Sequence, residues 1–271
     1  MPKHPSVRLL AGSLMAAAAA VAATPGPPRP PALDRARIVD LTHTFDQQTL
    51  YWPTATSGFQ LTSLHRGKTA AGFFYSANSF CAPEHGGTHM DAPVHFAEAR
   101  QALDQVPLDR LIAPAVVIDV TRQAAGDPGY RLTVEEVKAW EARHGRIPEA
   151  AIVLLRTGWA ARWPDAKRYF GDDAPGDASR LRFPAYGAES ARLLVEERRV
   201  GVLGVDTASI DHGPSRDFVV HQIAAAANVP ALENLADLSG LPEDGAWVVA
   251  LPMKIGGGSG GPVRVVALVP R

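Results

Sequence analysis

The chain alternates between short apolar runs and polar segments, and Gly, Pro or Asp stands at the ends of most runs. Short runs that are rich in Val and Ile and bounded in this way are typical of β-strands. The pattern predicts eight strands, at residues 38–41, 59–63, 73–80, 115–120, 152–156, 202–205, 247–251 and 263–269.

Three segments between these runs have helical patterns, at residues 134–144, 188–198 and 218–227. Thr133 precedes the first of them, Glu136 stands three residues later, and Gly145 follows its last residue. Thr and Glu at this spacing form a capping box, and Gly commonly ends a helix. Strands with interspersed helices predict a mixed α/β fold in one domain, which we expect to extend over residues 34–271.

The first 33 residues have a different pattern. Lys3 and Arg8 are followed by a stretch of small and apolar residues that ends near Ala23. Positive residues before an apolar stretch of this length are typical of a secretory signal peptide, and the stretch is too short to span a membrane. We therefore expect a signal peptide over 1–23, a proline-rich spacer over 24–33, and a periplasmic or secreted mature protein without a membrane segment.

Composition and charge exclude several classes of protein. A hydrophobic fraction of 46% excludes a disordered chain, and a formal charge of −1 gives no basic surface for nucleic acid. The single cysteine, Cys81, excludes an internal disulfide or a cysteine-based zinc site, and we expect it to be a small buried residue. We expect the run Phe73, Phe74 and Tyr75 to lie in the core or to form the floor of an aromatic pocket.

Histidine is concentrated in one segment, because His85, His89 and His95 all fall within eleven residues and Asp91 lies among them. Two glycines and a proline in this segment disfavour a helix. In an extended segment His89 and Asp91 point to the same side, and the glycines allow His85 to fold back towards them. Imidazole and carboxylate ligands fit Zn²⁺ or Mn²⁺, so this segment is a candidate metal site.

The segment HGGTHMDAPVH over 85–95 resembles the HxGTHxDxPxH motif of the cyclase-type metal hydrolases, which include bacterial-type kynurenine formamidases and isatin hydrolases. In that family the first two histidines and the aspartate bind metal. The resemblance therefore implies that His85, His89 and Asp91 are ligands, and that His95 is the catalytic acid/base.

The family has two further ligands downstream, a histidine and a glutamate twelve residues apart. His221 and Glu233 have this spacing, and His221 lies in a helical pattern while Glu233 follows a short apolar run. The segment Tyr51-Trp52-Pro53 resembles the part of the family formamidases that contains a substrate-contacting tryptophan, which implies this role for Trp52. Without the resemblance, Trp52 would be interpreted as an aromatic residue packed in the core.

The resemblance covers most of the chain after residue 38, and it implies a fold, an activity and an assembly. The fold would be a compact swivelling β/β/α domain with a central sheet and flanking helices. The activity would be hydrolysis of an aryl amide or formamide by metal-activated water, with one or two Zn²⁺ or Mn²⁺ ions and a substrate similar to N-formylkynurenine. An isatin-type cyclic aryl amide is the alternative substrate, and family members are usually homodimers or larger homo-oligomers.

Other interpretations remain for parts of this pattern. A periplasmic metal-binding or ligand-binding protein without catalysis is the rival function. We expect Asp206 to be a turn or cap residue. Residues 257–261 match G-x-S-x-G, but Pro262 and a strand-like run follow, so we interpret them as a glycine-rich hairpin or flap rather than a nucleophile turn.

Overall fold

A computed structural model describes residues 29–271, and the predicted signal peptide over 1–23 lies outside the described residues, as do residues 24–28 of the spacer. The strands in this part of the chain are β1 (Ala36–Asp40), β2 (Gln60–Lys68), β3 (Phe74–Cys81), β4 (His89–Asp91), β5 (Ile112–Asp119), β6 (Arg131–Leu132), β7 (Ile152–Arg156), β8 (Ala185–Tyr186), β9 (Val202–Val205), β10 (Ala231–Glu233), β11 (Trp247–Pro252) and β12 (Gly260–Pro270). The helices are α1 (Leu108–Leu111), α2 (Thr121–Gly126), α3 (Val134–His144), α4 (Ala166–Phe170), α5 (Ala188–Arg192) and α6 (Val219–Ala226), and one π turn (Leu193–Glu197) continues α5. Short 3₁₀ turns lie at Leu33–Arg35, Pro93–His95, Leu103–Gln105 and Trp159–Arg162. Within residues 29–271, every helix is too short or too polar to cross a membrane.

Eight of the described strands form one sheet, in the order β1-β12-β11-β5-β7-β9-β10-β4. The long strand β12 pairs with β4 through its first three residues and with β1 through its last five. Since β4 also pairs with β10, the sheet closes on itself as a ring of seven strands, and β1 extends one edge of β12. The central strands β5, β7, β9 and β10 are parallel, and the remaining pairings of the sheet are antiparallel.

The parallel strands of the ring are buried on both faces, as their nearly continuous apolar sequences predict. Val116 and Val153 face outwards and pack in one cluster with α3, α5 and α6. Val117 and Leu154 face the interior of the ring, where they belong to a second cluster that includes Met90 of β4. The short strand β4 is therefore anchored by the inner core as well as by its two neighbouring strands.

The sequence pattern predicts most of this architecture. The eight predicted strands correspond to β1, β2, β3, β5, β7, β9, β11 and β12, and the helix predicted over 134–144 is α3, with the expected Thr133–Glu136 capping box. The segment 188–198 divides into α5 and the π turn, and β12 begins at Gly260, inside the glycine-rich segment and before the strand start predicted at residue 263. The eight predicted strands do not include β4, β6, β8 and β10, because two or three residues have no detectable periodicity. The mixed α/β single-domain fold is confirmed.

Strands β2 and β3 form a separate two-stranded ribbon, residues 60–81, which we call the arm; within the described residues these two strands pair only with each other. The prediction that Phe73, Phe74 and Tyr75 lie in the core or floor a pocket is wrong for this chain, because their exposed fractions are 60%, 64% and 50%. Cys81 is also exposed rather than buried. A ribbon with no second layer leaves both of its faces open, so apolar side chains on it have no core to enter.

The sequence predicts a turn or cap residue at Asp206, and in the structure its carboxylate binds a turn that begins 49 residues earlier in the chain. Asp206 follows β9, it is 1% exposed, and its carboxylate accepts hydrogen bonds from the N–H and hydroxyl of Thr157 and from the N–H groups of Gly158 and Trp159. Burial raises the pKa of Asp206 to about 6, although the hydrogen bonds from Thr157 and Gly158 oppose this rise. The carboxylate therefore holds the turn after β7 against the end of β9.

We expect Asp206→Ala to lower the free energy of unfolding by about 3 kcal/mol or more, because several buried donors lose their acceptor at about 1–3 kcal/mol each. Urea unfolding of the metal-free protein measures this change. The matched control is Asp237→Ala, which removes an exposed carboxylate that accepts from the N–H and hydroxyl of Ser239. Equal and small effects of both variants would contradict the role given to Asp206.

Candidate metal centre and active site

Strands β4 and β10 present the central polar side chains. Alternation along β4 places Met90 in the inner core and turns His89 and Asp91 to the opposite face. The antiparallel register sets His89 directly opposite Glu233 of β10, and both side chains are at least nine-tenths buried. His89 and Asp91 on β4 and Glu233 on β10 therefore bring two carboxylates and one imidazole together.

The turn before β4 brings His85 back to the same place, as the two glycines predict. Gly87 has a φ of 58°, and a Cβ atom at this position would lie 2.5 Å from the ring of Phe45. Only glycine combines this backbone conformation with so little space. The chain reverses here, and His85 Nδ1 lies 2.6 Å from Asp91 Oδ1.

His221 reaches the cluster from the start of α6. Its Nε2 atom lies 3.1 Å from both Asp91 Oδ2 and Glu233 Oε1. Asp211, which is 1% exposed, accepts hydrogen bonds from the Nδ1 of His221 at 2.7 Å and from the backbone N–H groups of Val220 and His221. One carboxylate therefore caps the helix and orients the imidazole on it.

The hydrogen-bond partners define which ring nitrogens face the carboxylates. Gly87 O can only accept, so the Nδ1 of His89 donates to it at 3.0 Å. The carboxylate of Asp211 likewise accepts from the Nδ1 of His221. In both rings Nε2 is left to face the cluster, as expected of metal-ligating histidines that donate their other N–H to a carbonyl or carboxylate.

These side chains form two groups that could each hold a metal ion, and Asp91 belongs to both. The first group is His85, His89 and Asp91, and the second is Asp91, His221 and Glu233. Imidazole nitrogens and carboxylate oxygens that converge in a buried place are the ligands that Zn²⁺ and Mn²⁺ prefer. The structure thus brings together all the side chains that the sequence analysis names as ligands.

The charges of the cluster also favour a cation. Burial by itself would lower the pKa of His89, but Asp91 and Glu233 outweigh it and raise this pKa to about 9. Burial opposes ionisation of Asp91 as well, yet the surrounding imidazoles hold the pKa of that carboxyl well below its ordinary value. Within the described residues, the ion pairs of Asp91 and Glu233 are made with histidines alone. The Asp91 carboxylate is therefore ionised and attracts positive charge.

His95 lies beside the cluster but belongs to neither group. It ends the 3₁₀ turn after β4, and its ring stacks on that of His85 with centroids 3.8 Å apart and an interplanar angle of 18°. Loss of water around the ring and, to a smaller extent, the neighbouring imidazoles lower the pKa of His95 to about 4, against the opposing charge of Asp91. The ring is consequently neutral at pH 7, although the residue is exposed.

A cavity of about 220 Å³ opens directly onto both groups and onto His95. Trp52 forms part of its wall and packs edge-to-face against Phe183 and Phe218, with ring centroids 6.3 Å apart in each case. The apolar lining is completed by Leu50, Phe96, Phe170 and Ala208, and the polar lining outside the cluster by Tyr51, Ser209 and Asn234. A cavity of this volume with mostly apolar walls suits a small aromatic molecule.

Asp211 and Asn234 are functional residues that the sequence analysis does not identify. Phe218 stands at the N-cap of α6 and cannot cap it, so the capping carboxylate comes from ten residues before His221, too far away for a local signal. Asn234 has a φ of 54° and donates from Nδ2 to Gly87 O, the same carbonyl that orients His89. The one signal in the sequence that could have identified Asn234 is its position next to Glu233.

Comparisons with known proteins agree with this geometry. The model of the cyclase family matches residues 39–212. Isatin hydrolase of Roseibium aggregatum is 35% identical over 208 residues, which are 74% of this chain and 77% of the relative. Kynurenine formamidase of Salinibacter ruber is 27% identical over 84% of this chain and 96% of its own.

The fold of this chain is also similar to that of a solved structure. Isatin hydrolase A from Ralstonia solanacearum superposes with a TM-score of 0.78 at 35% identity, over 87% of this chain and 93% of that chain. The match of the family model extends over more than half of the present chain, and it includes the histidine segment. The chain therefore belongs to the cyclase family, and it is a metal-dependent hydrolase.

Proposed function

We propose that the protein hydrolyses the amide bond of a small neutral aromatic compound, with an isatin-type cyclic aryl amide as the preferred substrate. One observation supports this choice. The cavity on the metal centre has apolar walls, and within the described residues neither Lys nor Arg lines it. N-formylkynurenine has an ionised amino-acid group that would need a charged partner there. An isatin-type substrate has no such group.

The second candidate is an N-formyl aryl amide, as in N-formylkynurenine. The relative that supports it covers more of this chain than the isatin hydrolase does, at lower identity. Both candidates require the same attack on an amide carbonyl beside the metal centre. They differ only in what the walls of the cavity must accommodate.

The side chains of this protein divide the reaction between them. A divalent cation held by the two groups would supply an activated water and would polarise the carbonyl oxygen. His95 is neutral at pH 7 and faces the same cavity, so it can take a proton from the attacking water and transfer it to the leaving nitrogen. Trp52 and the apolar walls hold the aromatic ring and exclude bulk water.

Zn²⁺ or Mn²⁺ is the metal that we propose. The two oxygens of Asp91 face different histidines, with Oδ1 towards His85 and His89 and Oδ2 towards His221. This arrangement supports two neighbouring ions with Asp91 between them, while a single ion would use part of the set. The signal-like pattern of residues 1–23 supports the further proposal that the enzyme acts in the periplasm or outside the cell.

The proposed function is tested by assaying isatin and N-formylkynurenine side by side, after measuring the metal content of the purified protein. We expect bound Zn²⁺ or Mn²⁺, a kcat/KM for isatin at least about tenfold higher, and loss of both activities with a chelator. A higher kcat/KM for N-formylkynurenine would favour the second candidate. Bound metal without turnover of either compound would favour a binding protein, and absence of metal uptake would overturn the proposal.

Substituting His95→Ala should lower kcat by about 100-fold or more while the metal content stays at the wild-type level, because a general acid/base contributes roughly 10²–10⁴-fold and His95 is not a ligand. Steady-state kinetics and metal analysis measure the two quantities on the same sample. Glu98→Ala is the control, since Glu98 is an exposed residue three positions away. Joint loss of metal and activity in His95→Ala would show that His95 is a ligand instead.

We further propose that the protein is a homodimer and that the arm belongs to the interface. An isolated two-stranded ribbon is only marginally stable in water, whereas the arm has large apolar side chains on its surface. Leu61, Leu64 and Phe80 are 62%, 65% and 55% exposed, in addition to the aromatic residues at 73–75. A second copy of the chain would cover this surface and stabilise the ribbon.

We expect the double variant Leu64→Asp/Phe74→Asp to have half the molar mass of the wild-type protein in light scattering, because two charges on a buried apolar interface oppose association. The control is Leu108→Asp, which places a charge on a leucine that is 66% exposed and outside the arm. An unchanged mass of the double variant would exclude the arm from the interface. A monomeric wild-type protein would exclude the dimer itself.

A further inference from the structure

The glycine-rich segment before β12 contains one side chain with a hydrogen bond to the metal centre, that of Ser259. Its hydroxyl donates to Glu84 Oε2 at 2.6 Å, and its backbone N–H donates to the same oxygen at 3.0 Å. The ring atom Nε2 of His85 lies 2.9 Å from the Ser259 hydroxyl oxygen. Glu84, Ser259 and His85 therefore form a continuous hydrogen-bonded row, and the other nitrogen of the His85 ring faces Asp91.

The direction of the hydrogen bonds in this row follows from the number of protons that each side chain carries. A hydroxyl has one proton, and the carboxylate of Glu84 takes it because a carboxylate can only accept. The Ser259 oxygen is then an acceptor towards His85, so the proton of that ring resides on Nε2. The other ring nitrogen, Nδ1, is left without a proton and faces Asp91 Oδ1 at 2.6 Å. This is the tautomer that binds a metal ion on the Asp91 side.

The neighbouring glycines allow the backbone to approach this closely. A Cβ atom at Gly258 would lie 2.9 Å from Glu84 Oε1, and one at Gly260 would lie 2.5 Å from the Cε1 of His85. The Ser259 carbonyl also accepts from the N–H of Ala92, directly after β4. The glycine-rich segment is thus fitted to the Glu84–His85 segment and fixed to the strand that bears Asp91.

His85 needs such support more than the other two histidines of the cluster. The side chain of His85 is 26% exposed, whereas those of His89 and His221 are 4% and 6% exposed. Packing alone therefore restrains the His85 ring least, and its orientation depends on hydrogen bonds. The same ring stacks on His95, so its orientation also affects the proposed acid/base.

We propose that Ser259 and Glu84 are positioning residues that hold His85 in its metal-binding tautomer, and that the glycine-rich segment serves this purpose. The inference rests on the proposed function for the role of the metal, and it assigns a role to the G-x-S-x-G match that is not nucleophilic. Ser259 is not among the residues that line the cavity on the metal centre, and its hydroxyl is engaged by Glu84 and His85, so it is not placed to attack a substrate there.

The test is the affinity of the purified protein for Zn²⁺, measured by competition with a chromophoric chelator and without any substrate. Ser259→Ala should bind Zn²⁺ about 10- to 100-fold more weakly, which is the usual effect of losing a residue that orients a metal ligand. Ser239→Ala is the matched control, because Ser239 also donates to a carboxylate at 2.6 Å but lies on the surface without a histidine. The control should bind Zn²⁺ as tightly as the wild type.

Variants of Glu84 separate positioning from general stability. Glu84→Gln retains an acceptor for the hydroxyl and should stay within about threefold of the wild type, whereas Glu84→Ala frees the hydroxyl to donate to Nε2 and should weaken binding. Since Glu84 acts through Ser259, the double variant Ser259→Ala/Glu84→Ala should bind no more weakly than Ser259→Ala.

The outcomes distinguish this inference from the proposed function. Tight Zn²⁺ binding by the wild type with equal affinity in Ser259→Ala would overturn the inference and leave the proposed function intact. Additive losses in the double variant would also overturn it. A wild-type protein that binds neither Zn²⁺ nor Mn²⁺ would overturn both proposals together.

Discussion

The buried carboxylate of Asp91 is the constraint around which the other parts of the site are arranged. Three imidazole nitrogens lie 2.6–3.1 Å from its oxygens, and they come from the turn before the strand, from the strand itself and from a helix 130 residues later in the sequence. A charge in such a place is costly unless it is paired. The short strand that bears it is accordingly held on both edges, by β10 and by β12, and its own Met90 packs into the inner core.

The closure of the sheet explains why a centre of this kind can be built from so few residues. Because β12 pairs with β4 at one end and with β1 at the other, the ring has its seam next to the metal centre. Strand β4 contributes His89 and Asp91, while segments outside the sheet, such as those that contain Trp52 and Phe170, line the cavity. The chemistry therefore depends on the rigid sheet, and the selection of the substrate depends on segments that can change without disturbing it.

The sequence predicts the regular elements and the spacing of the ligands, because both are local properties. The capping box of α3 and the Gly-Gly turn before His89 are examples in which a few neighbouring residues determine the backbone. It does not predict contacts between distant segments, such as those of Asp211 or of Ser259 with Glu84. The exposure of Phe74 was missed for a related reason: an apolar pattern indicates burial but not whether the covering surface belongs to the same chain.

The position of Asp211 has a consequence for folding. Its two oxygens accept from the first turn of α6 and from the Nδ1 of His221 on that turn. A cation at the opposite nitrogen would make this N–H a stronger donor, and the bond to Asp211 would tighten. The charge on His221 and the start of the helix would therefore be thermodynamically linked, and α6 would fray more readily when neither an ion nor a proton occupies that nitrogen.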